Sequence, residues 1–312
     1  MKFLIIGVGN IGFRHVEALL NLSDNNLEFY LYDKNISFKE RFKELKINNR
    51  FKEINSLNGL SDLNFELTII STTATDRAKI LSNLNKFIKT KYIIIEKPIT
   101  QSVYELQDLK KLKSDNIFVN FPRRYCNWHK KIKEKLNKDY ISKNLRIEVS
   151  GSKIGLACNA CHFVDLINFI THKQPYKVII DDLEDWHKSK RDGFFEVEGN
   201  LKVNFEANIS LLIKSYNKKK NLEINFYDLN DNQILLIDYV NGIAKFCDGK
   251  IIEGRIKYQS ESTHLFFDLI KKNDQNLCKL DKAITLYKPL INGLIDHWNK
   301  KFKRNDKKIM IT

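Results

Sequence analysis

The rhythm of apolar positions changes near residue 121. Before it, short continuous apolar runs alternate with segments whose apolar residues return every three or four positions. Segments 2–6, 27–32, 67–71, 92–95 and 117–121 have the length and residue types of buried strands, while 11–22 and 78–87 have helical spacing. Strands alternating with helices predict an α/β domain with a doubly wound parallel sheet. After residue 121, segments 145–151, 177–183, 194–198, 201–210, 222–227 and 233–239 follow one another as strands, with short turns expected at 198–201 and 228–232. Such strands predict antiparallel pairing. Helices are expected near 159–172, 262–272 and 282–302, so the second domain reads as α+β. The predicted division is 1–120 and 121–312.

Length and composition agree with this picture. A chain of 312 residues suits two domains at ~150 residues each. An apolar fraction of 43% is enough for a sizeable core and excludes intrinsic disorder. No eighteen-residue apolar stretch occurs, so no membrane partner is expected. The opening apolar run is too short for a signal-peptide core, which places the protein in the cytoplasm as an expectation. Five cysteines do not make a disulfide framework. The balance of 53 basic against 38 acidic residues leaves +15, and 43 of the basic residues are lysine. Asparagine and isoleucine are also plentiful, and all three have A/T-rich codons, so base composition explains much of the excess. The basic runs 130–138, 218–220 and 300–308 read as solvated faces with a mild attraction for phosphorylated or carboxylated ligands. Nucleic acid is not an expected partner.

Gly7-Val8-Gly9-Asn10-Ile11-Gly12 is a G-x-G-x-x-G placed between a predicted strand and a predicted helix, the context in which this motif binds a dinucleotide. Gly7 permits a tight turn, Gly9 lets a pyrophosphate approach the backbone, and Gly12 lets helix and strand pack closely. The N–H groups of Asn10 and Ile11 would hold the diphosphate with the helix dipole. Asp33 ends the second strand, where a carboxylate accepts from an adenosine ribose and repels a 2′-phosphate. NAD is therefore expected over NADP, with Lys34 as the one feature against it.

The glycine loop, then Ser71-Thr72-Thr73, then Glu96-Lys97-Pro98 resemble the glucose–fructose oxidoreductase and inositol dehydrogenase (Gfo/Idh/MocA) family. The resemblance continues through Arg123-Arg124-Tyr125 and 155–165 into the helix at 282–298, covering nearly the whole chain. It implies a Rossmann domain followed by an open, mostly antiparallel sheet, with the chemistry at their junction. It also implies that Ser71, Thr72, Glu96 and Lys97 line the cofactor. Family members oxidise, reduce or epimerise sugars, cyclitols and sugar nucleotides, often as dimers or tetramers.

Lys97 precedes a proline that ends its strand, so its ammonium stands at a strand's carboxyl end, where it can stabilise a developing alkoxide. His162 and Asp165, three apart on a predicted helix, share a face with Asn159. The resemblance makes His162 the base that takes the hydroxyl proton, with Asp165 and Asn159 orienting the imidazole or the substrate. By position alone, His162 reads rather as a histidine packed against the sheet and satisfied by Asp165. Arg124 either meets an anionic group on the substrate or forms a surface salt bridge. Many members carry an aspartate four residues before the histidine, where this chain has Cys158. Asp165 then substitutes for it, or the proton relay differs, or the protein binds cofactor without turnover.

Cys158-Asn159-Ala160-Cys161-His162 also matches C-x-x-C-H, the haem-attachment pattern. It lies mid-chain inside the stronger family pattern, and no second C-x-x-C or H-x-x-x-H supplies further metal ligands, so neither haem nor metal is expected. The expected activity is an NAD(H)-dependent oxidoreductase acting on a secondary alcohol or ketone of a sugar-type substrate. The alternative is a non-catalytic dinucleotide-binding regulator or assembly protein.

Overall fold

A computed structural model describes residues 1–24, 26–34, 50–140 and 144–312. The first elements in chain order are β1 (Lys2–Ile6), α1 (Asn10–Leu19), β2 (Glu28–Tyr32), β3 (Phe51–Glu53), β4 (Asn64–Ile70), α2 (Ala74–Phe87), β5 (Lys89–Ile95), α3 (Val103–Leu109) and β6 (Ile117–Val119). The six strands pair in the order β3-β2-β1-β4-β5-β6, all parallel. Phe3, Leu4, Ile5 and Ile6 of β1 are fully buried, the continuous apolar run that a strand covered on both faces requires. Strand order reverses between β1 and β4, so a crevice opens beyond their carboxyl ends, where such sheets bind ligands.

The chain continues through α4 (Pro122–Tyr125), α5 (Asn127–Asp139), β7 (Arg146–Ser152), α6 (Leu156–Thr171), β8 (Pro175–Ile179), β9 (His187–Lys188), β10 (Phe195–Glu196), β11 (Gly199–Phe205), β12 (Ile209–Tyr216), β13 (Glu223–Tyr227), β14 (Gln233–Asp238), β15 (Ile243–Phe246), β16 (Ile251–Glu253), α7 (Thr263–Lys271) and α8 (Leu280–Phe302). Eight of these strands form one sheet, ordered β16-β15-β14-β13-β7-β12-β11-β8. Its neighbours are antiparallel except β7 and β12, which run parallel. Along β12 buried and half-buried residues alternate strictly, as in a sheet with one face on a core. Helix α6 is buried along most of its length. The fold is therefore mixed α/β, a parallel Rossmann-type sheet followed by a mostly antiparallel one. Among the described residues no helix is long and apolar enough to cross a membrane.

Several expectations need correction. Segment 201–210 is not one strand, because Ala207 and Asn208 both adopt left-handed backbone and turn the chain from β11 into β12. The turn expected at 198–201 is instead the start of β11. Helices α3 and α5 and strands β15 and β16 were not anticipated. The basic run at 130–138 lies on α5, where Ile132 and Leu136 are buried while Lys131 and Lys138 are exposed.

The two compact units are also not the two continuous segments predicted. One comprises Met1–Thr100, Glu105–Asn120 and Lys257–Asp281; the other comprises Gln101–Tyr104, Phe121–Ile256 and Lys282–Thr312. Helix α7 thus belongs with the first sheet. Its Phe267 packs edge-on against Phe3 at 5.7 Å and Tyr92 at 6.3 Å, and its Phe266 against Phe118 at 6.4 Å. Apolar burial recruits the helix across more than a hundred intervening residues.

Candidate functional site

In the first unit, the turn after β1 is shaped by glycine. Gly7 has φ +90°, and a Cβ there would stand 2.5 Å from the backbone nitrogen of Thr72. At Gly12 a Cβ would stand 2.0 Å from the Gly7 carbonyl oxygen. Both close approaches exclude any side chain. At Gly9 a Cβ would meet nothing within 4 Å, so the backbone there is open. Ser71 Oγ donates to the Gly7 carbonyl at 2.7 Å, fastening the end of β4 to the loop. Gly9 caps α1 without a side chain, and the first intrahelical bond runs from Phe13 N–H to Gly9 O at 3.0 Å. The N–H groups of Asn10 and Ile11, both exposed, thus precede the helix's own hydrogen bonding.

Asp33 accepts from the Val8 N–H through Oδ2 at 2.6 Å, which fixes its carboxylate beside the loop. Lys34 is turned to Asp76, at 2.7 Å, and the hydrogen bond it donates to that carboxylate raises its pKa. Thr72 Oγ1 is buried and has no hydrogen-bond partner among the described residues. An open glycine, a bare helix N-terminus and an orphaned hydroxyl side by side fit a dinucleotide phosphate.

Glu96 ends β5 inside a polar network. Its Oε1 lies 3.1 Å from His15 Nε2 and accepts from Asn120 Nδ2. His15 is fully buried, with Nδ1 2.9 Å from Thr263 Oγ1. Gln259 closes the ring, donating to Thr263 Oγ1 at 2.7 Å and accepting from Asn120 Nδ2 at 2.7 Å. Burial alone would raise the Glu96 carboxyl, but hydrogen bonding and charge from His15, with Asn120, outweigh it and hold the group below its usual range. His15, Asn120, Gln259 and Thr263 were all missed from sequence. The available signal was a histidine on the apolar face of α1. Lys97 follows directly and is half-buried; beyond it, the Pro98 carbonyl accepts from Arg77, which also donates to the Thr72 carbonyl.

In the second unit, the N-terminus of α6 is capped from β10 and the residues after it. Ala157 N–H donates to Glu196 Oε1 at 2.6 Å, Leu156 N–H to the Val197 carbonyl at 3.0 Å, and Gly155 N–H to Glu198 Oε2 at 3.2 Å. Burial pushes the Glu196 carboxyl up, against hydrogen bonds that include one from the Cys158 side chain. Cys158 and Cys161 are buried free thiols.

His162 faces the Phe121 ring edge-on at 5.7 Å. It lines a cavity of about 410 Å³ together with Arg123, Asn159, Phe163, Lys220 and Leu222. Asn159 Nδ2 donates to the Ile154 carbonyl at 2.6 Å. Asp165 and Arg124 are brought to each other instead. Arg124 Nε is 2.7 Å from Asp165 Oδ1 and its Nη2 is 2.9 Å from Asn168 Oδ1, all buried. This corrects two expectations, that Asp165 orients His162 and that Arg124 meets a substrate. Side chains three apart on a helix still diverge by ~60°, enough for Asp165 to take a different neighbour. Nor is the salt bridge on the surface, the other reading of Arg124.

Residues 1–119 match the model of an oxidoreductase family with an NAD-binding Rossmann fold, that of the Gfo/Idh/MocA proteins. This match is confined to the first 119 residues, the segment that carries the glycine loop. No curated protein matches the chain in sequence. Among solved structures, a probable dehydrogenase from Thermotoga maritima is similar at 16% identity over 97% of this chain and 98% of that one, with TM-score 0.68. A myo-inositol 2-dehydrogenase from Lactobacillus plantarum is similar at 13% identity over 99% of both chains, with TM-score 0.67. The transcriptional regulator Gal80p from Kluyveromyces lactis is similar at 15% identity over 99% of this chain and 95% of that one, with TM-score 0.67. These likenesses establish a shared fold.

Beside Cys158 on α6 the structure places the carboxylate of Glu196 from β10, which accepts a hydrogen bond from the thiol. Arg123, the neighbour of Arg124, was the other miss. Its guanidinium lies 4.7 Å over the Phe163 ring and 5.5 Å from the Tyr239 ring, with Nε 3.3 Å from Tyr239 Oη.

Proposed function

We propose that this Gfo/Idh/MocA protein is an NAD(H)-dependent oxidoreductase acting on a secondary alcohol or ketone of a sugar, sugar nucleotide or cyclitol. The observation that carries the reading is the glycine loop, where Gly7 and Gly12 admit no side chain and Gly9 leaves the backbone open. A bound nicotinamide supplies the hydride acceptor or donor. Asp33 accepts from the adenosine ribose hydroxyls and repels a 2′-phosphate, while Lys34 is engaged by Asp76, so NAD is favoured over NADP. Lys97, at the carboxyl end of β5, hydrogen-bonds the reacting oxygen and stabilises its alkoxide charge. His162 accepts the hydroxyl proton during oxidation and returns it during reduction. Asn159, on the cavity wall with His162, orients the substrate.

The test is a turnover screen over sugars, cyclitols and sugar nucleotides, followed by NADH absorbance. On the substrate found, Lys97→Ala and His162→Ala should each lower kcat/KM by roughly 10² to 10⁴-fold, with NAD affinity nearly unchanged. Near wild-type turnover in both single variants overturns the assignment.

A second reading, a non-catalytic dinucleotide-binding regulator, is favoured by Cys158 at the position where many members carry an aspartate. The same fold serves a transcriptional regulator, so fold does not choose between the two. Tight NAD binding with no turnover of any polyol or ketose would favour it.

A further inference from the structure

We propose that the cavity of the second unit takes an oxyanion, a carboxylate or phosphate carried by the sugar-type ligand, and that Arg123 is its counter-ion. The inference rests on the proposed function for the sugar and not for the charge.

Two adjacent arginines make the case. Both are buried, Arg123 at 9% exposure and Arg124 at 2%. Arg124 is neutralised by Asp165. Arg123 has no carboxylate partner among the described residues; its one polar side-chain contact is Nε to Tyr239 Oη at 3.3 Å. A guanidinium carries five N–H donors, so most of its capacity is left to the cavity that it lines. Withdrawing a cation from water without a counter-charge is costly, and an anionic ligand removes that cost.

The surroundings hold Arg123 in readiness. Its plane rests on the Phe163 and Tyr239 rings. Tyr239 Oη lies 2.9 Å from Nε2 of His129, which is fully buried and whose pKa is pushed well down by burial and then by Arg123. A neutral histidine behind the tyrosine adds no competing charge. No aspartate or glutamate lines the cavity, and its second cation, Lys220, stands 3.6 Å from Glu223 outside the lining. Ser152 Oγ lies 2.8 and 3.0 Å from the carbonyls of Lys218 and Lys220, seating this basic loop at the rim. Phe163, Leu222 and Ile256 complete an apolar wall for the carbon face of a sugar ring. A volume of about 410 Å³ is within the range for small-molecule sites.

The experiment is calorimetric titration of the full chain, saturated with NAD, with D-glucose and myo-inositol against D-glucuronate, glucose 6-phosphate, UDP-N-acetylglucosamine and inorganic phosphate. At least one anion should bind tenfold or more tighter than the neutral sugars. Which arm binds separates carboxylate from phosphate. Arg123→Gln should weaken that anion at least tenfold and leave the neutral sugars unchanged, and Arg123→Lys should restore part of the loss. Lys220→Gln, an exposed change that spares the fold, should weaken the anion two- to threefold if Arg123→Gln does not fold. Saturable binding of none of the four anions, or anion binding indifferent to both positions, overturns the proposal. Anion-selective binding without turnover would leave it standing while the hydride-transfer reading fails. Turnover of a neutral polyol with no saturable binding of any of the four anions would do the reverse.

Discussion

In the first unit, the proposed cofactor loop is six consecutive residues, Gly7 to Gly12, shaped by their backbone, whereas the second unit assembles its cavity from residues spread between Pro122 and Ile256. The loop works by the absence of side chains. The cavity works by their presence, and by which of two neighbouring guanidinium groups has a carboxylate. A backbone site therefore tolerates change in its surroundings and little change in itself. A side-chain site has the opposite sensitivity, since each wall residue is held by partners far away in sequence.

The sharpest way to break the comparison is to exchange the roles of the two arginines. Arg124→Met removes the guanidinium that pairs with the buried Asp165 carboxylate and should destabilise the protein by about 3–5 kcal/mol. Arg123→Gln strands no carboxylate and should cost about 1–2 kcal/mol, the scale of a desolvated cation–π contact. Urea unfolding of both variants measures the difference. Equal losses would mean that Arg123 is as structural as Arg124.

Within the loop, Gly12→Ala and Gly9→Ala should separate folding from binding. The first drives a Cβ into the Gly7 carbonyl and should cost about 1–3 kcal/mol of stability or more. The second adds a methyl to open space at φ −68°, so stability should change by less than about 0.5 kcal/mol. Its NAD affinity should nonetheless fall by roughly tenfold, about 1.4 kcal/mol, because the methyl stands where the pyrophosphate approaches. Differential scanning fluorimetry and NAD titration read the two effects separately, and unchanged affinity in Gly9→Ala would remove the loop from the binding site.

Asp33 tests the carboxylate beside the loop. NAD should bind at least about tenfold tighter than NADP, near 1.4 kcal/mol, and Asp33→Ser should narrow that gap. Equal affinities in the wild type would mean that the Asp33 carboxylate, held by Val8 N–H, does not face the ribose.

The smallest effect is a pH dependence in the second unit. Burial holds the folded His129 pKa below its ordinary value of 6.5, so below that pH the unfolded chain binds the extra proton. The contribution to stability is complete above about 6.5 and is lost as pH falls through it toward the depressed folded value. Melting temperatures should therefore decline between pH 7.5 and 5.5, by roughly the few degrees that a kcal/mol-scale change produces. His129→Gln should flatten that decline, and an equal slope in the variant would point to other groups.

The alternation of apolar runs was enough to foresee an α/β doubly wound sheet followed by a mostly antiparallel one, because burial on both faces or on one leaves different residue periods. Gly7, Gly9, Gly12 and Asp33 were legible for a related reason. A left-handed turn, a close backbone approach and the end of a strand are conditions set within a few residues. Helix α7 carries nothing in its own pattern to say that Phe266 and Phe267 will pack on Phe118, Phe3 and Tyr92. Nor could spacing tell Arg123 from Arg124, whose side chains leave their short helix about 100° apart. Only the packed chain decided that one meets Asp165 while the other lines a cavity with His162, and that Glu196 of a distant strand stands beside Cys158. Local backbone conformation is encoded where it occurs, but the partner of a buried charge is chosen by every segment that reaches the same space.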